Sequence, residues 1–228
     1  MSINIIFPNQ LFEDSVVIEN KKTTYLIEEY LFFKQYKFHK QKIVFHRDSM
    51  KNYFDYLINK GLNVKYINSF DDESDIRIFL KNISIKEINI YNPVDNWLEK
   101  RIVSSCLKSN IKINIHENPL FLTKKNELSP FFSPTKKKLF QTSFYKNQRI
   151  KFNILLNNEN KPEGGKWTYD DLNRKKYPKN KKTPVIDYSF LKSNSYNDSM
   201  KYVTKYFSKN YGELNDLQLY PSDFKTSK

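Results

Sequence analysis

Short apolar runs alternate with amphipathic stretches along the first half of the chain. The apolar runs predict five strands, over residues 3–7, 24–28, 63–67, 87–91 and 112–116. Between them, apolar residues recur at threes and fours, which predicts helices over residues 36–60, 71–84 and 96–109. Because strand and helix alternate, we predict an α/β fold: a doubly wound, Rossmann-like, five-stranded parallel sheet with helices on both faces.

The predicted sheet lacks the glycine motifs of nucleotide-binding enzymes. Sheets of this kind bind ligands beyond the carboxyl ends of their strands, here residues 7–10, 28–33 and 91–97. The chain has four glycines, and none of them forms a dinucleotide fingerprint or a phosphate-binding loop. The sequence therefore excludes an ordinary dehydrogenase or P-loop NTPase.

The hydrophobic pattern weakens after residue 122. Helical spacing persists over residues 125–131, 137–152 and 195–209, whereas residues 157–195 are rich in Asn, Lys and Pro and have no sustained period. We predict an α/β domain over residues 1–122, a helical extension over 123–156 and an extended connector over 157–228. We expect residues 157–195 to be mobile in the isolated chain.

The net charge of +14 is concentrated in one segment. Residues 124–182 hold 16 Lys and Arg against 5 Asp and Glu, whereas residues 1–123 hold 17 against 15. This excess favours an anionic partner such as DNA, contacted weakly through Lys136, Lys137 and Lys138. Alternatively these lysines form a solvated patch, because only five of the 39 basic residues are arginine.

The remaining composition limits the chemistry. Cys106 is the only cysteine, so the sequence excludes an internal disulfide and a four-cysteine metal or iron–sulfur site, and we predict that it packs in the core. His39 and His46 are too widely spaced to share one metal, and we predict no metal site. No apolar run approaches a membrane span and no signal peptide is recognisable, so we expect a cytoplasmic protein without membrane contact.

Three stretches carry a resemblance to a known family. The first is the turn Phe7-Pro8-Asn9-Gln10-Leu11, where the family has Gly-Asp for Pro-Asn, and the second runs from Phe32 through His46-Arg47 to Lys51. The third contains Gly164-Gly165-Lys166-Trp167 and Asp171-Leu172-Asn173-Arg174-Lys175, with Leu172 where the family usually has Glu. In this order and spacing they resemble the photolyase/cryptochrome family, specifically deoxyribodipyrimidine photolyase-related proteins of the bacterial (6-4) type.

The resemblance implies an accessory role. In the family, a following helical domain binds FAD, holds an iron–sulfur cluster and repairs DNA by light-driven electron transfer as a carbon–carbon lyase. We therefore expect this chain to be the amino-terminal antenna portion, truncated or split, with no catalytic residue of its own and with enzyme activity left open. Its expected partner is a helical FAD-binding domain, on a separate chain or missing. The alternatives are a stand-alone nucleotide- or DNA-binding module using residues 124–182, and a truncated product without function.

Two groups of residues follow from the family motifs and the strand ends. An antenna chromophore of the ribityl-lumazine type is implied, although lumazine-binding members usually have an acidic residue near Phe32. Alternatively, Phe32 and Phe33 stack on another chromophore. Glu28 and Glu29 would accept hydrogen bonds from a ribityl chain, or alternatively Glu28 pairs with Lys40 or Lys42. If Asn9 does not contact a ligand, we expect it to form an Asx turn. If Trp97 does not line the pocket, we expect it to pack in the core. The predicted cofactor-binding residues are Asn9, Gln10, Glu28, Phe32, Phe33, Asp95 and Trp97, and the predicted interdomain docking residues are Gly164, Gly165, Trp167, Asn173 and Arg174.

Overall fold

The chain divides into two compact units. The computed structural model describes residues 1–170, 174–185, 195–214 and 222–224. One unit comprises Met1–Pro119 together with Asp187–Lys228, and the other comprises Leu120–Ile186. The domain boundaries drawn from the sequence after residues 122 and 156 stay predictions.

A five-stranded sheet forms the centre of the first unit. Its strands are β1 Ser2–Ile6, β2 Thr24–Ile27, β3 Val64–Ile67, β4 Glu87–Tyr91 and β5 Lys112–His116. They are all parallel and lie in the order β3-β2-β1-β4-β5. The strand order reverses beside β1, which pairs with both β2 and β4 and marks the switch point of the sheet. This confirms the predicted α/β fold.

Helices cover both faces of the sheet. The helices of this unit are α1 Tyr30–Phe33, α2 Lys40–Asn59, α3 Ile76–Asn82, α4 Asn96–Lys108 and α6 Tyr196–Tyr206. On one face, Ile5 and Ile90 pack with apolar residues of α3 and α4. On the other face, Ile6 and Leu26 pack with residues of α2 and α6. Cys106 is 1% exposed and belongs to the first of these clusters, as predicted.

Capping residues set helix boundaries that the hydrophobic pattern alone missed. The helix predicted from residue 36 begins at Lys40, because the Nδ1 atom of His39 accepts a hydrogen bond from the Gln41 amide at 3.2 Å. The helix predicted over 71–84 is divided at Asp75. A 3₁₀ turn precedes this residue, and its side chain caps α3 by accepting from the Arg77 amide at 2.9 Å.

A row of polar side chains crosses the sheet and fixes its register. Asn4 of β1 lies opposite both Thr24 and Asn89, and Asn89 lies opposite Asn114. Nδ2 of Asn4 donates to Thr24 Oγ1 at 3.2 Å, Nδ2 of Asn89 to Asn4 Oδ1 at 3.2 Å, and Nδ2 of Asn114 to Asn89 Oδ1 at 3.1 Å. A slip of one residue would place each of these amides on the opposite face of the sheet.

The second unit has little hydrophobic core. The helix predicted over 137–152 is α5, Gln141–Lys151, and the one predicted over 125–131 is a 3₁₀ turn at Lys125–Glu127. Among the described residues of this unit, no large hydrophobic side chain is buried, whereas Arg149 is 6% exposed. In the described ranges of both units, none of the helices combines the length and apolarity of a membrane span.

Candidate functional site

The carboxyl ends of β1, β2 and β4 lie along one edge of the sheet because the strands are parallel. Gln10 joins two of these ends. It is fully buried, and its Nε2 donates to the carbonyls of Tyr91 and Asn92, each at 3.4 Å, while its Oε1 accepts from the Phe7 amide at 3.4 Å. The amide of Gln10 therefore ties the β1 and β4 loops together across the switch point.

Asn9 presents an unused acceptor at the same edge. Its Oδ1 is buried and has no hydrogen-bond partner in the described part of the chain. An Asx turn would require this oxygen to accept from a nearby backbone amide, so the structure does not support that alternative for Asn9.

Both carboxylate oxygens of Glu28 accept hydrogen bonds from groups within the chain. Its Oε1 accepts from Nη1 of Arg47 at 2.5 Å and from the Tyr66 hydroxyl at 2.6 Å, and its Oε2 accepts from the Ser69 amide at 2.7 Å. The ion-pair partner is thus Arg47 of α2, rather than Lys40 or Lys42. To bind a ligand, Glu28 would have to give up one of these donors.

Glu29 is equally buried but only partly satisfied. Its Oε2 caps α1 by accepting from the Leu31 amide at 2.5 Å, whereas its Oε1 has no hydrogen-bond partner among the described residues. That oxygen lies 3.8 Å from Nη1 of Arg101, a buried atom that also lacks a hydrogen bond there. Burial raises the pKa of Glu29 to about 7, outweighing the opposing effects of the Leu31 amide, the charge of Arg101 and the Ile76 amide.

Arg101 is a site residue that the sequence did not identify. It lies on α4 beside α3, with Nη1 4.0 Å from Oδ2 of Asp75 and its guanidinium 5.5 Å from the Tyr30 ring centroid. Its position depends on how α3 and α4 pack together, and no local sequence pattern predicts that packing. The sequence contains one hint of this role: Arg101 is one of five arginines in the chain, and it lies on the helix that follows β4.

The β4–α4 loop carries the other predicted residues of this edge. The side chain of Asp95 accepts from the Leu98 amide at 2.8 Å and so caps α4. Val94 has a φ of 63°, which is a strained conformation for a β-branched residue. Trp97, in the first turn of α4, is 53% exposed, so the core alternative for Trp97 is wrong.

The two phenylalanines lie beside His46 of α2. Phe33 is fully buried in the core beneath α2, and Phe32 is half-buried. Both rings flank His46, with centroid separations of 6.4 Å for Phe32 and 6.1 Å for Phe33. Burial, assisted by the charge of Lys42, lowers the pKa of His46 to about 4, which keeps this imidazole neutral.

Nowhere in the described ranges do three His, Cys, Asp or Glu side chains come together as a possible metal site.

Comparison with known proteins identifies the family. Residues 4–219 match the family model described as "Deoxyribodipyrimidine photo-lyase-related protein". The chain belongs to this family. It is 36% identical over 188 residues to "Uncharacterized protein R852" of Acanthamoeba polyphaga mimivirus, covering 78% of this chain and 95% of the viral protein. It is 24% identical over 142 residues to "(6-4) photolyase" of Agrobacterium fabrum, covering 60% of this chain but 28% of that enzyme.

The photolyase-related motif of the second unit packs against α5. Nη1 of Arg149 donates to the Trp167 carbonyl at 3.3 Å, and its guanidinium lies 5.2 Å from the Trp167 ring centroid. The hydroxyl of Tyr169 donates to the Gly164 carbonyl at 2.9 Å, and the Gly165 amide donates to the Pro162 carbonyl at 3.0 Å. The motif is thus organised by its own unit.

The remaining predicted contact residues are on the surface or outside the described ranges. Arg174 is exposed, and Asn173 lies outside the described residues. Lys136, Lys137 and Lys138 are all exposed, and Nζ of Lys136 donates to the Pro130 carbonyl.

Proposed function

We propose that this chain is the accessory α/β part of a photolyase-related flavoprotein, and that the carboxyl edge of its sheet holds an antenna chromophore. One observation carries the proposal: Asn9 Oδ1, Glu29 Oε1 and Arg101 Nη1 are buried at this edge without a hydrogen bond to any described residue. Each such atom costs about 1–3 kcal/mol, and a ligand that supplies partners recovers that free energy. The chain binds and orients the ligand and carries no catalytic residue.

The donor and acceptor set fits a polar heterocycle of the ribityl-lumazine type. Such a molecule offers N–H and hydroxyl donors for Asn9 and Glu29, and carbonyl acceptors for Arg101. Trp97 supplies an exposed aromatic ring at the same edge. When bound, the chromophore would absorb light and pass its excitation to the flavin.

We propose that FAD and an iron–sulfur cluster belong to a helical domain with which this chain associates. Cys106 does not fit a cluster ligand, because it is buried in the core and burial raises the pKa of its thiol to about 11. The second unit supports a docking role, with Gly164, Gly165, Trp167 and Arg174 as contacts. Among its described residues, exposed large hydrophobic side chains are common and buried ones are absent. The assembled protein would act in light-dependent DNA repair or light sensing.

Ligand titration tests the chromophore site. Ribityl-lumazine fluorescence is measured as the chain is added, for the natural protein and for Glu29→Ala and Arg101→Met. We expect each variant to bind at least about tenfold more weakly, since each removes a buried partner. Lys108→Met, an exposed change on the same helix as Arg101, is the control. Absence of binding by the natural chain would overturn the proposal, and so would binding by both site variants that is as tight as that of the natural chain.

Nucleic-acid binding by the second unit is the second candidate. It is supported by the excess of basic residues over 124–182 and by the exposure of Lys136, Lys137 and Lys138. Binding to single-stranded DNA, followed by fluorescence anisotropy, should be independent of sequence and should fall steeply with salt. Replacing the three lysines by glutamine should flatten that salt dependence, whereas sequence-specific binding at high salt would contradict this candidate.

A further inference from the structure

The second unit contains a pocket beside α5. Its volume is about 630 Å³, which falls within the roughly 300–1,000 Å³ of small-molecule sites. Helix α5 forms one wall, and residues between Glu163 and Asp170, in the photolyase-related motif, form another. Every lining residue belongs to the second unit, so the pocket shares no residue with the candidate chromophore site.

Three aromatic side chains line this pocket without another aromatic ring against them. Tyr145 and Tyr169 are 41% and 43% exposed, and Trp167 is half-buried. In the described part of the unit, ring–ring contacts occur only among three phenylalanines. The Tyr169 hydroxyl is fixed beside Gly164: it donates to that carbonyl at 2.9 Å, and a Cβ added at Gly164 would lie 2.2 Å from the hydroxyl oxygen. Rings fixed in this way offer faces on which a planar ligand can stack.

Glu163 adds a hydrogen-bond acceptor to the pocket. The other two glutamates of this unit, Glu127 and Glu159, form ion pairs with lysines at 2.8 and 2.7 Å. Glu163 is exposed, and its carboxylate forms neither an ion pair nor a hydrogen bond with any described residue, although residues 124–182 hold 16 Lys and Arg. This carboxylate can therefore accept hydrogen bonds from N–H groups of a ligand.

The surroundings of the pocket are positively charged. Nζ of Lys146 lies 5.7 Å from the Trp167 ring centroid and the guanidinium of Arg149 lies 5.2 Å from it, in a segment with 16 basic and 5 acidic residues. A simple cation would be repelled by these charges, and a simple anion would meet the carboxylate of Glu163. A ligand that joins a planar ring carrying N–H donors to a phosphate satisfies both requirements.

We propose that this pocket binds a nucleotide, with its base stacked on the wall formed by Trp167 and Tyr169. An amino group of the base donates to Glu163, and the phosphate faces Lys146. The site is independent of the chromophore proposal. Docking of a helical domain through Trp167 would exclude a bound nucleotide at this side chain, so the two occupants would compete.

Tryptophan fluorescence tests the stacking. The chain has two tryptophans, so Trp97→Phe leaves Trp167 as the only one. In this background AMP should quench the emission in a saturable manner. Adenosine, which lacks the phosphate, should bind more weakly than AMP and with less dependence on salt concentration.

Loss of the amino-group donors tests the role of Glu163. N6,N6-dimethyl-AMP should bind about tenfold more weakly than AMP, because it cannot donate to the carboxylate. In Glu163→Gln the two nucleotides should bind with similar, weaker affinities, because the charged acceptor is gone. Glu159→Gln is the matched control, since Glu159 is an exposed glutamate of the same unit that does not line the pocket, and it should keep the difference between the two nucleotides.

Competition distinguishes two sources of this chemistry. Displacement of AMP by single-stranded oligo(dA) at a lower nucleotide concentration would identify an unpaired nucleotide of a strand, and failure of the strand to compete would identify a free nucleotide.

Two results would overturn the proposal. One is the absence of saturable quenching by AMP up to millimolar concentration, or quenching by arginine or benzylamine instead, which would identify a cation as the occupant. The other is a preference for AMP over its dimethyl derivative that Glu163→Gln leaves unchanged, which would place the base on another surface.

Discussion

Glu28 and Glu29 are consecutive and equally buried, yet only Glu28 has a cation within hydrogen-bonding distance, the guanidinium of Arg47 at 2.5 Å. The nearest cation to Glu29 is Arg101, with an N–O distance of 3.8 Å. Because the two carboxyls follow the same strand, their different surroundings assign them different roles. Glu28 joins β2 to α2, and Glu29 is left with an unused acceptor at the edge of the sheet.

Breaking the Glu28–Arg47 pair should strongly destabilise the first unit. Arg47→Met leaves the carboxylate of Glu28 buried without its cation, which we expect to lower the free energy of unfolding by about 3–5 kcal/mol. Urea denaturation followed by circular dichroism measures this. Arg77→Met is the matched control: Arg77 pairs with Asp75 but its side chain is 54% exposed, so the expected loss is below about 1 kcal/mol. Equal losses in the two variants would contradict the assignment.

Glu29 should make the folded state less stable as pH rises. Its pKa is raised from the usual 4.5 to about 7, so the folded chain holds this proton more tightly than the unfolded chain does. The resulting stabilisation, about 3 kcal/mol, is complete below pH 4.5 and is lost as pH rises through 7. Glu29→Gln should remove this loss. Urea titrations at several pH values would show it, and an unchanged pH profile in the variant would argue against a buried, protonated Glu29.

His46 should make the folded state more stable as pH rises, over a pH range that overlaps the range in which Glu29 titrates. Its pKa is lowered from the usual 6.5 to about 4, so the unfolded chain binds this proton more readily. The stabilisation from its neutral form, about 3 kcal/mol, is present above pH 6.5 and is lost as pH falls through 4. In the natural chain the two effects largely cancel between pH 4.5 and 6.5.

Single substitutions should separate these two effects. In Glu29→Gln, the free energy of unfolding should rise between pH 4.5 and 6.5, and in His46→Leu it should fall. The same urea titrations measure both slopes. Slopes of the same sign in the two variants would be incompatible with these pKa shifts.

The local sequence was sufficient to predict the strands of the sheet, but it was not sufficient to predict the contacts of the candidate site. The bounds of β4 and β5 were predicted correctly, because buried parallel strands appear as short apolar runs ended by polar or turn residues. Arg101 was missed because it approaches Glu29 only after β2, α3 and α4 are assembled. The same reason applies to Glu28. The sequence offers Lys40 and Lys42 on the predicted helix as alternative partners, whereas the packing of α2 brings Arg47 to this carboxylate.

The start of α2 also depends on a contact distant in sequence. Residues 36–39 continue the predicted helical pattern, but His39 acts as the cap and the Lys40 amide donates to the Tyr211 carbonyl at 3.0 Å. Gly212 lies against the same histidine, because an added Cβ would be 2.0 Å from His39 Nε2. No periodicity within residues 36–60 contains this information.

Gly212→Ala should therefore destabilise the chain by more than the backbone cost of replacing a glycine that has positive φ. Gly61 is the matched control: both glycines have positive φ, 75° at Gly61 and 85° at Gly212, but a Cβ at Gly61 meets no atom within 4 Å. Gly61→Ala should cost about 1–2 kcal/mol from the backbone conformation alone. Gly212→Ala should cost at least about 1 kcal/mol more, because His39 must shift. Thermal and urea unfolding compare the two, and equal losses would show that His39 yields freely.

Arg149 should hold the photolyase-related motif of the second unit in place. Its Nε donates to the Ile154 carbonyl at 3.1 Å, its Nη1 donates to the Trp167 carbonyl at 3.3 Å, and its Nη2 donates to the Leu155 carbonyl. A lysine keeps the charge but cannot reach three carbonyls in different directions. Arg149→Lys should therefore free the backbone around residues 154–167 while the sheet stays intact.

Hydrogen exchange by segment decides between an ordered and a mobile motif. In the natural chain, we expect the amide of Gly165, which donates to the Pro162 carbonyl, to be protected more than exposed loop amides are. In Arg149→Lys, exchange over residues 154–170 should accelerate about tenfold or more, since two of the three partly buried hydrogen bonds are lost, while exchange in β1 and β4 stays unchanged. Lys146→Met is the control, because the Nζ atom of Lys146 lies over the same Trp167 ring, 5.7 Å from its centroid. Free exchange of this segment in the natural chain would instead support the sequence-based expectation of a mobile connector, and would mean that the motif becomes ordered only on a partner.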